Sequence, residues 1–202
     1  MSMPADYHMH TPLCRHATGE PVDYARRAVE LGLTEIGFSD HSPMPRDDFD
    51  NWRMFDRQLD EYVGKVRLAQ KEFPQLTIRL ALAAESKLFD VIGHADLPKK
   101  FGIRPAQDCT PLYENFLDAA ARGGCAIELN TAGLRKDCRE IYPCPALLRL
   151  AFQKKVPITF GSDAHAPAEV GMNFAEAVAL ARSVGYRETV RFNRRQRETV
   201  PF

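Results

Sequence analysis

The 202-residue sequence predicts an α/β fold with a mainly parallel sheet. Three observations predict it. Strand-like and helix-like patterning alternate along the whole chain. The histidines and several carboxylates fall at the ends of the predicted strands or in the loops that follow them. The length suits one well-buried domain over 1–202. In a parallel β/α barrel the C-terminal strand ends converge on one face, and that face carries the chemistry. Right-handed crossovers close such a sheet into a barrel or wind it open, and both readings stand at this level.

The first strand ends in Asp6-Tyr7-His8-Met9-His10. Residues i and i+2 of an extended chain point to one face, so His8 and His10 aim two imidazoles the same way. A loop from Thr11 to Glu20 holds Cys14 and His16. Pro21 then opens a helix to Leu31, with Val22, Ala25, Ala28 and Val29 on one face and Gly32 at its C-cap. Glu35 to Ser39 reads as the second strand, closed by Asp40-His41. After a polar, proline-containing loop, apolar residues at three- and four-residue spacing (Trp52, Phe55, Leu59, Tyr62, Val66, Ala69) predict a helix from Trp52 to Phe73, ended by Pro74.

Thr77 to Leu88 admits two readings. Ile78, Leu80 and Leu82 alternate as in a strand, yet Phe89 to Gly93 reads as the next strand, too close for a parallel crossover of about a dozen residues. Either the two strands are not parallel neighbours, or Thr77 to Leu88 is helical. Beyond it, the pattern predicts a helix over Pro111–Arg122, a strand over Cys125–Asn130, a loop over Thr131–Pro143, a helix over Pro145–Lys155, a strand over Val156–Phe160, a helix over Phe174–Val184 and a last strand over Tyr186–Phe192. The basic stretch Arg191 to Arg197 reads as a solvated end.

Net charge is zero, which argues against a broad nucleic-acid or membrane field. No signal-peptide pattern and no long apolar run occur, so the expectation is a cytoplasmic protein with no membrane partner. Five cysteines without a CxxC pair do not suggest a disulfide framework.

Seven residues share the strand ends as candidate metal ligands: His8, His10, His16, His41, His94, Asp163 and His165. A zinc site usually takes four ligands, so a cluster of two or three divalent ions accounts for them better. Imidazole with carboxylate suits Zn, Mn or Fe. Such a cluster activates water and clamps the oxygens of a phosphoryl group, which implies a small phosphorylated substrate. Asp40 and Asp96 either orient the imidazoles or cap the following turns. Arg135, after Gly133, is the candidate phosphate ligand. Lys99, Lys100 and Arg53 are alternatives, each equally readable as a solvated charge.

The stretches HMHTPLCRHA, FSDHSPMP, VIGHADLPKKFG, ELNTAGLRK followed by EIYP, and TFGSDAHAPAEVG resemble the histidinol-phosphatase branch of the PHP (polymerase and histidinol phosphatase) family. The resemblance implies a distorted seven-stranded β/α barrel with a trinuclear metal site. By motif, His8, His10 and Asp163 would share one metal, His16, His41 and His165 another, and His94 would help hold the third. Asp163 and His165 become the candidate catalytic residues, and Arg135 of TAGLR would contact phosphate. The implied reaction is hydrolysis of L-histidinol phosphate, a late step of histidine biosynthesis.

One departure is large. The family carries Gly-Leu-Glu after the strand equivalent to Ile78-Arg79-Leu80, and its glutamate bridges two metals; Ala83 stands there instead. A further strand ending in Gly-Ser-Val-His is absent. The chain therefore reads as lacking an internal block around residues 82–86, that is, one strand–helix unit of the barrel. Glu85 is the available substitute for the lost carboxylate. A shortened chain that binds metal with impaired catalysis, and a phosphoesterase acting on another small phosphate ester, are the alternative readings.

Overall fold

The computed structural model describes residues 3–41, 43, 51–80, 90–102, 104–105, 107–193 and 196–202. The chain forms two compact units, one over 2–87 with 161–172 and the other over 88–160 with 173–202.

In the first unit, β1 (Asp6–Met9), β2 (Glu35–Phe38) and β3 (Thr77–Leu80) form a parallel sheet in that order. Two helices support it. Helix α1 (Pro21–Glu30) starts on a reciprocal Glu20–Asp23 capping box and buries Tyr24, Ala25 and Ala28. Helix α2 (Leu59–Glu72) buries Tyr62, Val66 and Ala69. These side chains join Met9, Ile36, Phe38 and Ile78 in one apolar core. All four residues of β2 are buried, with Ile36 and Phe38 in that core and Glu35 and Gly37 alternating with them.

The predicted start of α2 is wrong by seven residues. A 3₁₀ turn over Asp56–Gln58 precedes it, and Phe55 and Trp52 lie outside the helix. Their apolar spacing continues the helical pattern by coincidence. Trp52 packs against histidines instead.

In the second unit, β4 (Val91–Ile92), β5 (Ala126–Asn130) and β6 (Ile158–Gly161) lie side by side, with β4 and β5 parallel. Helix α3 (Thr110–Gly123), helix α4 (Pro145–Gln153) and helix α5 (Phe174–Val184) accompany them. Leu117, Leu129, Leu147, Leu148, Phe160 and Phe174 are buried. An antiparallel hairpin of β7 (Glu188–Asn193) and β8 (Gln196–Pro201) ends the chain. Arg191 and Arg197 lie in this hairpin, and β8 is exposed along most of its length, in keeping with a solvated end. Val190 pairs with Thr199 and Phe192 with Arg197, and charged residues on the exposed strand β8 hide its period-two pattern.

The ambiguity after Thr77 is settled for the described residues. Thr77–Leu80 is a strand, and β3 and β4 belong to different sheets, so no short parallel crossover is needed. Residues 81–89, with Ala83 and Glu85, lie outside the described residues. Strand pairing among the described residues gives three separate open sheets and no closed barrel.

Candidate metal centre

Five histidines and one carboxylate gather at the C-terminal ends of β1 and β2. His8 lies in β1, and His10 directly follows it. His41 follows β2 by three residues. Asp163 and His165 arrive on the loop after β6, which β1 holds through two backbone bonds: His10 N–H donates to Ala164 O at 2.9 Å, and Ala164 N–H donates to His8 O at 3.1 Å. Thr18 N–H donates to His165 O at 2.6 Å and ties the His16 loop to the same place.

The ring nitrogens converge. His8 Nε2 and His10 Nε2 lie 3.4 and 3.1 Å from Asp163 Oδ1. Ligands on one tetrahedral ion at 2.0–2.1 Å are separated by about 3.3 Å, so each of these imidazoles stands at ligand spacing from Asp163. Asp163 reaches it from a left-handed backbone, φ 54°, a conformation that Asp tolerates better than most residues.

A second group comprises His16, His41 and His165, whose candidate ligand atoms lie within 4.8 Å of one another. His165 Nε2 and His16 Nε2 stand 2.8 Å apart. Each ring has its other nitrogen at a backbone carbonyl, His165 Nδ1 at Asp163 O (2.9 Å) and His16 Nδ1 at Cys14 O (2.6 Å). A carbonyl accepts only a proton donor, so both Nδ1 atoms carry hydrogen and, in the neutral rings, both Nε2 atoms present lone pairs to each other. Two lone pairs at 2.8 Å repel unless a cation lies between them. A proton does not suit His165 or His41 at neutral pH. Burial and the neighbouring His10 charge push His165 down to about 4, and burial with the charges of His10, His16 and His8 pushes His41 down to about 3. The donor set fits divalent metal.

Among the described residues, Asp40 lies behind His10 and bonds to Thr11, ahead of the turn Pro12–Cys14, rather than capping the turn that follows it. Its Oδ1 accepts from Thr11 N–H at 2.9 Å and lies 3.2 Å from His10 Nδ1; its Oδ2 accepts from the Thr11 hydroxyl. Carboxylates behind a ligating imidazole fix its orientation and raise its basicity. Burial pulls the His10 pKa down, but hydrogen bonds to Asp163 and Asp40 win and hold it well above the ordinary value. Metal entering at His10 therefore displaces a proton.

Two supporting residues are not picked out by the sequence patterns. Asp6, fully buried, accepts from Ser162 N–H (2.9 Å), Gly171 N–H (3.0 Å) and His8 N–H (3.3 Å), and so fastens the Asp163 loop to β1. Glu169 accepts from His165 N–H at 2.8 Å. The signal for Asp6 is a carboxylate at a buried strand start, which no periodicity rule flags.

His94 and Arg135 lie in the second unit. His94 also has positive φ, 47°. Its Nε2 faces Asn130 Nδ2 at 3.1 Å, and Asn130 Oδ1 accepts from Ala132 N–H, which sets the amide so that its NH₂ donates to His94. Arg135, half-buried, ends a 3₁₀ turn over Thr131–Arg135. Asp96 does not orient an imidazole: its Oδ2 accepts from Cys144 N–H and from Lys99 Nζ, both within 2.9 Å. Lys99 is buried among carboxylates, which removes it as a phosphate ligand. Arg53 stacks its guanidinium 4.8 Å over Trp52.

Trp52 is the single tryptophan of the chain, with its ring 4.4 Å from that of His41. Titrating Mn²⁺ into chelator-treated protein should quench its emission, and His41→Ala should abolish the response. Emission indifferent to metal in the wild type would remove His41 from the ion-holding set.

Comparison with known proteins agrees with this geometry. Residues 6–86 match the PHP domain. A Deinococcus radiodurans protein named "Probable histidinol-phosphatase" is 38% identical over 256 aligned positions, covering 95% of this chain and 97% of the relative. A Bacillus subtilis histidinol-phosphatase is 23% identical, covering 82% of this chain and 95% of the relative. In fold, a Lactococcus lactis histidinol phosphate phosphatase, solved with zinc, L-histidinol and phosphate, matches with a TM-score of 0.74 at 18% identity, over 98% of this chain and 100% of that one. The 256-position alignment exceeds the 202-residue chain, so at least 54 positions of the Deinococcus relative face no residue here. The histidine cluster and the near-full-length identity lead to one conclusion: the chain belongs to the PHP family, in its histidinol-phosphatase branch.

Proposed function

We propose that residues 1–202 act as one metal-dependent phosphomonoesterase domain that hydrolyses L-histidinol phosphate to L-histidinol and phosphate. The observation that carries the metal requirement is the 2.8 Å approach of His16 Nε2 to His165 Nε2, with each Nδ1 turned to a backbone carbonyl. The named relatives supply the substrate. The ligands are His8, His10 and Asp163 for one ion and His16, His41 and His165 for another, with His94 reserved for a third; Zn, Mn or Fe suits these donors. The fold is a seven-stranded barrel type with one strand–helix unit missing near residues 82–86.

Bound divalent ions supply an acidified water and polarise the phosphoryl oxygens. The chain's own groups do the rest. Asp163 and His165 hold the reacting centre, Asp40 keeps His10 in its ligating orientation, and Arg135 binds phosphate through a guanidinium fork. Arg135→Ala should raise KM for phosphate esters about tenfold or more while leaving metal content intact, because it removes a charge-assisted bond of roughly 1.5–3 kcal/mol. An unchanged KM takes Arg135 out of the phosphate role.

A second reading has its own support. At least 54 positions of the Deinococcus relative's alignment face no residue here, and the family resemblance implies that Ala83 takes the place of the bridging glutamate. On that reading the chain binds metal with impaired catalysis. Hydrolysis of L-histidinol phosphate by purified protein with Mn or Zn decides between them. Turnover with metal supports the phosphatase and makes Glu85 the next residue to test. Metal binding without turnover supports the impaired paralogue.

A further inference from the structure

Lys99 is an unusual lysine: it is 5% exposed, and its ammonium has three oxygen partners. Nζ lies 2.9 Å from Asp96 Oδ2, 2.9 Å from Glu140 Oε2 and 2.8 Å from Ile141 O, with the Tyr142 ring 5.2 Å away. A buried ammonium persists only when its charge and all its donors are matched, and these three oxygens match them.

The partners lie on two different loops. Asp96 directly precedes the 3₁₀ turn Leu97–Phe101 that follows His94, and Leu97 N–H donates to His94 O at 2.9 Å. Glu140 and Ile141 belong to the segment that packs on the TAGLR turn. Glu140 N–H donates to Gly133 O at 3.3 Å, and the Glu140 carbonyl sits so close that a Cβ on Gly133 would stand 2.0 Å from it. Tyr142 pairs its backbone with Asn130 in both directions, and Asn130 donates to His94. One ammonium thus ties the segment carrying His94 to the segment that shapes the Arg135 turn.

We propose that Lys99 is a positioning residue, whose buried ammonium fixes the His94 loop and the Arg135 turn in one arrangement for the substrate phosphate. The proposal rests on the phosphatase reading for its purpose, but not for its structural content. A misplacement of about 1 Å is enough to cost on the order of 100-fold in turnover efficiency. A neutral residue at 99 leaves Asp96 with its Cys144 N–H bond and Glu140 with its Arg104 bond, so the two loops lose their shared ammonium.

The test uses the full chain with Lys99→Met, Lys99→Arg and Glu140→Gln, and Lys71→Met on α2 as a control. Two readouts are taken: KM and kcat for L-histidinol phosphate, and the His94 imidazole resonance of chelator-treated protein, assigned with His94→Gln. Lys99→Met should raise KM about tenfold or more, with a smaller change in kcat, and should shift the His94 resonance. Lys99→Arg should recover most of both, and Lys71→Met should change neither. If Lys99→Met does not fold, Glu140→Gln removes one partner and is expected to move both readouts in the same direction. The proposal is overturned if Lys99→Met or Glu140→Gln leaves KM and the His94 resonance at wild-type values, including the case in which only the thermal midpoint falls. If wild-type protein turns over no substrate, the phosphatase reading fails, and the His94 resonance alone decides the role of Lys99.

Discussion

Asp163→Asn is expected to strip metal from the centre and lower phosphatase activity about 1000-fold or more, with the chain still folded. Asp163 Oδ1 is the atom on which His8 and His10 both converge. Loss of its charge removes the anionic ligand shared by that trio. Metal contributes several kcal/mol to a phosphoryl transition state, and each 1.4 kcal/mol is a factor of ten. Asn is the informative replacement because φ is 54° at this position. Ala there adds backbone strain of roughly 1–2 kcal/mol, whereas Asn tolerates the left-handed region much as Asp does. Metal analysis and steady-state kinetics on the same preparation check it. A variant that holds wild-type metal would mean the centre is built elsewhere.

The second large effect concerns stability. Gly133→Ala should lower the thermal midpoint by roughly 6–12 °C, corresponding to about 3 kcal/mol in a chain of this size. Gly133 is buried in the 3₁₀ turn that carries Arg135. Its added Cβ would stand 2.0 Å from the Glu140 carbonyl and 3.0 Å from the Tyr142 ring, and backbone cannot swing aside as a side-chain tip can. Gly64→Ala is the matched control. Gly64 is in the middle of α2 with nothing within 4 Å of the built Cβ, so alanine there should stabilise by about 0.5–1 kcal/mol. Opposite signs from two identical substitutions, read by calorimetry, would show that local crowding decides the outcome. Equal effects would refute the crowding argument at Gly133.

Much of the centre is legible in the sequence. His8 and His10 share a face by strand geometry alone, and His41, Asp163 and His165 follow strand ends. The α/β alternation comes from period and punctuation, and helix α5 matches at both ends, Phe174 and Val184. What stays hidden depends on contacts between distant segments. Asp6 grips Ser162 and Gly171 across more than 150 residues of chain, and no local pattern announces that. Lys99 reads as a surface charge because its partners Glu140 and Ile141 are about 40 residues away. Trp52 sits in register with a helix that begins only at Leu59. Strand β8 is mostly exposed, so it carries no apolar alternation to read.

One changeover between the two compact units falls between residues 87 and 88, next to the point where the family resemblance implies an absent block. The pairings of β1 with β2, of β2 with β3 and of β4 with β5 each lie on one side of that seam, while Met9 bridges Ala164 across it. An insertion or loss between β3 and β4 leaves the residues of these ladders untouched, so chain length can vary there while each sheet keeps its own pairing instructions.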